Sequence, residues 1–377
     1  MSSTRFINGS IVGAHPATAD GVVIEDGVIV SRPASDTDTT VDLAGGYLLP
    51  GFIDTQVNGG GDVLLNDSPT VEAIARIGAA HRRYGTMSFL PTLISDDLDK
   101  VDAAMRAVEQ AIDAGVPGVI GIHLEGPFLS AARKGTHDPA KFRTLDDDAI
   151  ALLSSLKAGR TLVTLAPETC TDDDIRRLVS AGVIVAAGHT DASYERMKSA
   201  FAAGVSGVTH LFNAMSPLGH RAPGVVGATL EDDRAYAGII VDGHHISPTA
   251  LRIAVRSRPR DRFMLVTDAM PTVGSATKTF NLQGKTIRAH NGVCMEENGT
   301  LAGSDLDMET ALRNAVSMIG LSVAEAAFMA SGAPAAFLGL RDRGSLAPGQ
   351  RADLLWLDAE LRLRAMWQAG EPVALAA

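Results

Sequence analysis

A chain of 377 residues that is 46% hydrophobic but only 5% aromatic can bury a large core, and it exceeds one ordinary domain unless the fold is a large α/β one. Its 33 basic and 44 acidic side chains leave a net charge of −11, which argues against a general nucleic-acid surface and requires any anion pocket to be built locally. The opening MSSTRFINGS has neither a signal core nor an Arg-rich amphipathic character, no apolar run reaches membrane-spanning length, and Cys170 and Cys294 lack metal-type spacing. The expectation is a cytoplasmic protein without membrane contact or a disulfide framework.

Residues 1–46 carry short strand-like pieces broken by Gly and Asp, as in GVVIEDGVIVS. Beyond them, apolar β-branched runs alternate with helical patterns, the signature of a parallel sheet covered by helices. The runs are YLLPGFIDTQ (47–56), MSFLPTLI (87–94), VIGIHLEG (119–126), TLVTLAPE (161–168), VIVAAGHT (183–190), GVTHLF (207–212), YAGIIVDGHH (236–245) and FMLVTDAM (263–270). Helical stretches between them, such as TVEAIARIGAAHRRYG and ASYERMKSAFAAG, end near a glycine. Eight such units predict a (β/α)8 TIM barrel over 47–344. Residues 279–304 read as hairpins inserted after the eighth strand, with Asn-Gly turns at Asn291 and Asn298. After a helix-rich segment, the tail ADLLWLDAELRLRAMWQAG returns to alternation. Residues 1–46 and 345–377 are therefore expected to pair into one small β-sandwich domain.

In such barrels the chemistry sits where the strands end. Glu125 closes the third run, His189 the fifth, His210 the sixth, His245 the seventh and Asp268 the eighth. Any one alone passes for a capped or solvated residue; five at equivalent positions do not. Glu125, His189 and His210 make a three-ligand set for a single catalytic zinc that keeps a position open for water. Many metal-dependent hydrolases carry His-x-His on the first strand, and here those places hold Gln56 and Asn58. Amides bind zinc far more weakly than imidazole does, so one metal per chain is expected and the pair marks a second site that has been abandoned. His15, His81, His123 and His290 read as structural or exposed, with a place behind the site as the alternative for His123.

The segments PGFIDTQVNG, HLEGPFLSAARKGTH, AAGHTDASYE, THLFNAMSPLGHRAPG, DGHH, VTDAM and NGTLAGSDLDM, with the closing pattern of 344–354, cover nearly the whole chain in order. Together they resemble the N-acetylglucosamine-6-phosphate deacetylases of the amidohydrolase superfamily, in the Gln-x-Asn group that holds one metal. The resemblance implies hydrolysis of the N-acetyl group of N-acetyl-D-glucosamine 6-phosphate to D-glucosamine 6-phosphate and acetate, in amino-sugar catabolism or recycling. An N-acetylgalactosamine-6-phosphate enzyme, different at one hydroxyl, is the alternative. A non-catalytic sugar-phosphate sensor on the same barrel is a third, and the retained Asp268 argues against it.

The resemblance also implies roles. Asp268 would be the general base that takes a proton from the attacking water and returns it to the departing amine, and His137 in KGTH would polarise the acetyl carbonyl. Thr136, Asn213 and Ala214 would contact the sugar, and Leu301, Ala302 and Gly303 would line the pocket. His245, beside Asp242 in DGHH, and Arg221 would bind the phosphate, with Arg221 reaching across a homodimer. On sequence alone His137 also fits an exposed loop histidine and Arg221 a solvated surface arginine. Asp305 and Asp307 add negative charge close to a pocket meant for an anion.

Overall fold

A computed structural model of the protein describes residues 3–13 and 21–374; His15 lies outside the described residues. Eight parallel strands form the central sheet: β1 (Phe52–Val57), β2 (Thr86–Ile94), β3 (Gly121–Glu125), β4 (Arg160–Leu165), β5 (Ile184–Ala187), β6 (Gly207–Val208), β7 (Tyr236–Ile239) and β8 (Phe263–Leu265). Each pairs with the next in chain order. The ring closes beyond the end of β8, where Val57 bridges Ala269 and the Asp268 amide donates to the Gln56 carbonyl at 3.0 Å. This is the expected TIM barrel. All six residues of β1 and all nine of β2 are buried, which is why these segments read as continuous apolar runs rather than alternating ones.

Helices cover the outside of the ring, and several begin at a side-chain cap the sequence supplies. Thr70, Asp146, Thr171, Ser193 and Ser247 each accept a hydrogen bond from a first-turn amide. Inside the ring, Ile53, Leu90, Leu162, Ala186 and Met264 meet Phe337 from the C-terminal helices in one apolar cluster. A Cβ on Gly207 would stand 2.7 Å from the Phe337 ring, so this strand position has room only for glycine. The other end of the barrel is left to polar groups.

Two flanking sheets are built from the chain ends. Ser3–Ile7 pairs with Val22–Glu25 and Thr39–Asp42, and Leu354–Leu357 pairs with Leu363–Gln368 and with Tyr47–Pro50. Phe6, Leu48, Leu354 and Trp367 share the apolar cluster between them. The first run in the sequence is thus two strands: Tyr47–Pro50 belongs to the flanking sheet, and the barrel strand begins at Phe52 after the Pro50-Gly51 break. Proline has no amide hydrogen to continue a ladder, and a Cβ on Gly51 would stand 2.6 Å from Met87. Residues 279–304 form a four-stranded antiparallel sheet, with Asn291 and Gly292 both at positive φ in the turn between Lys285–His290 and Val293–Met295. Among the described residues no helix is long and apolar enough to cross a membrane.

Candidate active site

Glu125 is the last residue of β3, and His189 and His210 follow β5 and β6 by two residues each. His189, His210 and Asp268 all have positive φ, at 47°, 31° and 52°. Non-glycine residues avoid this region, and its recurrence at three strand ends of one mouth is the strain expected of a functional site. The three turns aim their side chains inward. Glu125 Oε1 lies 3.1 Å from His189 Nε2 and 2.8 Å from His210 Nε2, and the two Nε2 atoms are 3.1 Å apart.

Two imidazole nitrogens and a carboxylate oxygen, all buried and all within 4.8 Å of one another, have the donor types and convergence of a divalent-cation site. The groups fit the metal: a small cation would satisfy at once three lone pairs that otherwise crowd each other. His189 is held from behind, its Nδ1 at 2.9 Å from the Arg133 carbonyl, an arrangement that fixes the ring with Nε2 toward the cluster. Burial works against the charge on Glu125, yet its hydrogen bonds with His189 and His210 hold the carboxyl well below its usual range.

Asp268 stands on the other side of the same mouth. Its Oδ1 accepts from Asn58 Nδ2 at 2.7 Å and from Gln56 Nε2 at 3.1 Å, and Gln56 Nε2 also lies 3.2 Å from Glu125 Oε2. Gln56 and Asn58 therefore have a present use: they are the donors that hold the carboxylate of Asp268 and link it to Glu125. Burial first, and the nearby charge of Glu125 second, push the Asp268 carboxyl up to about 6.

These groups open into a cavity of about 440 Å³ lined also by Thr136, His137, Asn213, Ala214, His245, Leu301 and Gly303. His137 is buried rather than an exposed loop residue, and burial, then His189, hold its imidazole well below the usual histidine range. His245 Nδ1 is 2.6 Å from Asp242 Oδ2, so Asp242 orients the ring from below rather than lining the cavity itself. Ala302 alternates away from Leu301 and Gly303 into the apolar core of the inserted sheet. That sheet grips the KGTH loop: Glu296 Oε1 accepts from Thr136 Oγ1 at 3.0 Å and from Lys285 at 2.9 Å.

Arg221 is exposed and does not line the cavity of its own chain. Arg133 and Lys134 do, and neither was singled out in the sequence. The extra acids are accounted for: Asp305 pairs with Lys278 at 2.9 Å and Asp307 caps the helix Met308–Asn314. His123 faces into the barrel beneath Glu125, bonded to Thr164 Oγ1 at 2.7 Å, and burial pushes it down to about 4. His81 is buried with Nε2 at 2.9 Å from the Gly59 carbonyl, a structural role, and His290 lies exposed in the inserted sheet.

A parallel eight-stranded barrel with a carboxylate and two histidines at its C-terminal mouth, facing an aspartate after the last strand, defines a metal-dependent hydrolase. The amidohydrolase family model matches residues 47–374, and the chain belongs to that family, whose members hold a divalent metal. The chain is 42% identical over 358 residues to an N-acetylgalactosamine-6-phosphate deacetylase of Shewanella sp. (strain ANA-3), covering 93% of this chain and 90% of that one. It is 36% identical over 358 residues to an N-acetylglucosamine-6-phosphate deacetylase of Haemophilus influenzae, covering 93% of each. In structure it is similar to the N-acetylglucosamine-6-phosphate deacetylase of Pasteurella multocida, with a TM-score of 0.93, 32% identity, and coverage of 99% of this chain and 100% of that one.

Proposed function

We propose that the protein is a cytoplasmic homodimeric deacetylase that removes acetate from N-acetyl-D-glucosamine 6-phosphate. The observation that carries this reading is the Glu125, His189 and His210 cluster with Asp268 and His137 lining the same cavity, the His137 ring 4.3 Å from that of His189. Glu125, His189 and His210 would hold one divalent ion, zinc by its nitrogen-rich donor set. That ion supplies Lewis-acid polarisation of the amide and brings the pKa of water toward neutrality.

The chain's own residues do the rest. With two amide donors converging on Oδ1 of Asp268, Oδ2 is the oxygen left to take the proton of the attacking water. A carboxyl raised to about 6 is ionised at neutral pH yet close enough to it to give the proton back to the departing amine. His137 bonds the acyl oxygen, Thr136, Asn213 and Ala214 seat the sugar, and Leu301 and Gly303 close its side. The 6-phosphate is met by His245, oriented by Asp242, and by Arg221 of a second copy, because charge-assisted bonds are the strong way to hold a dianion in an acidic protein.

The 42% identity to the Shewanella enzyme favours a second reading, in which the 4-epimer, N-acetylgalactosamine 6-phosphate, is the preferred substrate. Acetate release measured on both phosphorylated epimers, with unphosphorylated N-acetylglucosamine as control, decides between them. Release from neither overturns the proposal.

A further inference from the structure

We infer that Ser95 is a positioning residue that holds His137 in the tautomer whose proton sits on Nε2. Ser95 follows the last residue of β2 and is 1% exposed. Its backbone N–H points at Nδ1 of His137 at 3.4 Å, and its hydroxyl oxygen lies 2.8 Å from the same atom. A backbone amide can only donate, so this contact, longer than an ordinary hydrogen bond, biases Nδ1 toward the bare, accepting form. The hydroxyl has one proton and two acceptors in reach, Nδ1 at 2.8 Å and the Glu125 carbonyl at 3.5 Å, and the shorter contact makes it the stronger donor to Nδ1. In the opposite tautomer, N–H would face N–H.

The proton therefore belongs on Nε2, the nitrogen left to the cavity that His137 lines. This neutral ring presents a hydrogen-bond donor, the polarity needed at an acyl oxygen that gains negative charge. The reverse tautomer would turn a lone pair toward that oxygen. The two partners are also clamped together: Gln283 Nε2 donates to the Ser95 carbonyl at 2.9 Å while its Oε1 accepts from the Asp138 amide at 2.9 Å. One side chain of the inserted sheet thus sets the distance between residue 95 and the loop carrying His137.

The inference rests on the proposed function only in placing an acyl oxygen at Nε2. Its test is the imidazole ¹⁵N spectrum of the metal-loaded protein, with the His137 signals assigned by their loss in His137→Gln, combined with kinetics. The parent should show a protonated Nε2 and a bare Nδ1. In Ser95→Ala a fraction protonated at Nδ1 should appear, and kcat should fall by about tenfold or more with KM little changed. Ser95→Thr, which keeps the hydroxyl, should retain the parent spectrum and rate. A parent protonated at Nδ1, or an alanine variant with the parent kcat, overturns the lock. The parent spectrum reads the tautomer even if no acetate is released from any amino-sugar phosphate, so failure of the functional reading would be recognised separately.

Discussion

The side-chain amide of Asn58 donates to Oδ1 of Asp268 at 2.7 Å, joining the first strand of the barrel to the turn after the last. Gln56 makes a parallel bond at 3.1 Å, so the carboxylate is held by two neutral donors and keeps its other oxygen for chemistry. Asp268→Asn keeps the size of the side chain and removes its capacity to accept a proton. Turnover should fall by roughly 10²- to 10⁴-fold, the contribution typical of general acid–base catalysis, while metal content stays at the parent level. Rates near the parent's in this variant would assign the base to another group.

The same two amides bear on stoichiometry. Their N–H groups are spent on Asp268 and Glu125, and the amide oxygens that remain are weak ligands for zinc beside imidazole. Elemental analysis should find about one tightly held divalent ion per chain, from a single three-ligand site. Prolonged chelation should abolish activity, and one equivalent of zinc should restore it. Two tight ions per chain would contradict the assignment of Gln56 and Asn58.

The proposed dimer can be tested at Arg221. This residue is exposed, in the loop between His210 and the helix Gly224–Glu231, and does not line the cavity of its own chain. Arg221→Ala should raise KM for the phosphorylated sugar about ten- to a hundredfold, the value of a lost charge-assisted bond, with little effect on the unphosphorylated one. Mixing Arg221→Ala with Asp268→Asn under subunit exchange should restore part of the activity, since each mixed dimer then holds one intact site. Exchange without recovery would place Arg221 outside any site in trans.

His81 gives a prediction about stability that is independent of catalysis. Burial pushes its imidazole from 6.5 down to about 4, and Nε2 bonds the Gly59 carbonyl. Below pH 6.5 the unfolded chain takes up a proton that the folded chain refuses. Stability contributed by the neutral ring is thus complete above pH 6.5 and lost as pH falls toward 4, by on the order of 3 kcal/mol. His81→Gln should show a shallower fall of Tm over that window than the parent. An identical slope in both proteins would rule out His81 as a source of acid lability.

Much of this was legible in the residues. Buried parallel strands read as unbroken apolar runs, and the polar residue closing each run falls at the mouth, so the barrel, Glu125, His189, His210 and Asp268 could all be read without coordinates. What stayed hidden depends on direction rather than residue type. Gln56 and Asn58 look like lost ligands because a sequence does not show which way an amide donates. Ser95 is one more serine after a strand until His137, 42 residues on, is folded back against it. Ala302 sits between two cavity residues and faces the other way, a parity set by the register of the inserted sheet. The split of 47–56 into two strands has a local sign in Pro50-Gly51, but the partner at 354–357 that draws 47–50 into another sheet lies far along the chain.

The seam between β1 and β8 is more than a joint. Asp54 accepts from Thr267 across 213 residues of chain, in a buried place that pushes its carboxyl up to about 7, and the bonds of Gln56 and Asn58 to Asp268 cross at the same line. Asp268, the proposed base, therefore acquires its donors only when the two ends of the eight-strand ring meet. With the ring open, Asp268 would lack these two donors and its fixed place beside the Gln56 link to Glu125. Recovery of turnover during refolding would then time ring closure itself, and substitutions that loosen this line would cost activity before the bulk of the structure melts.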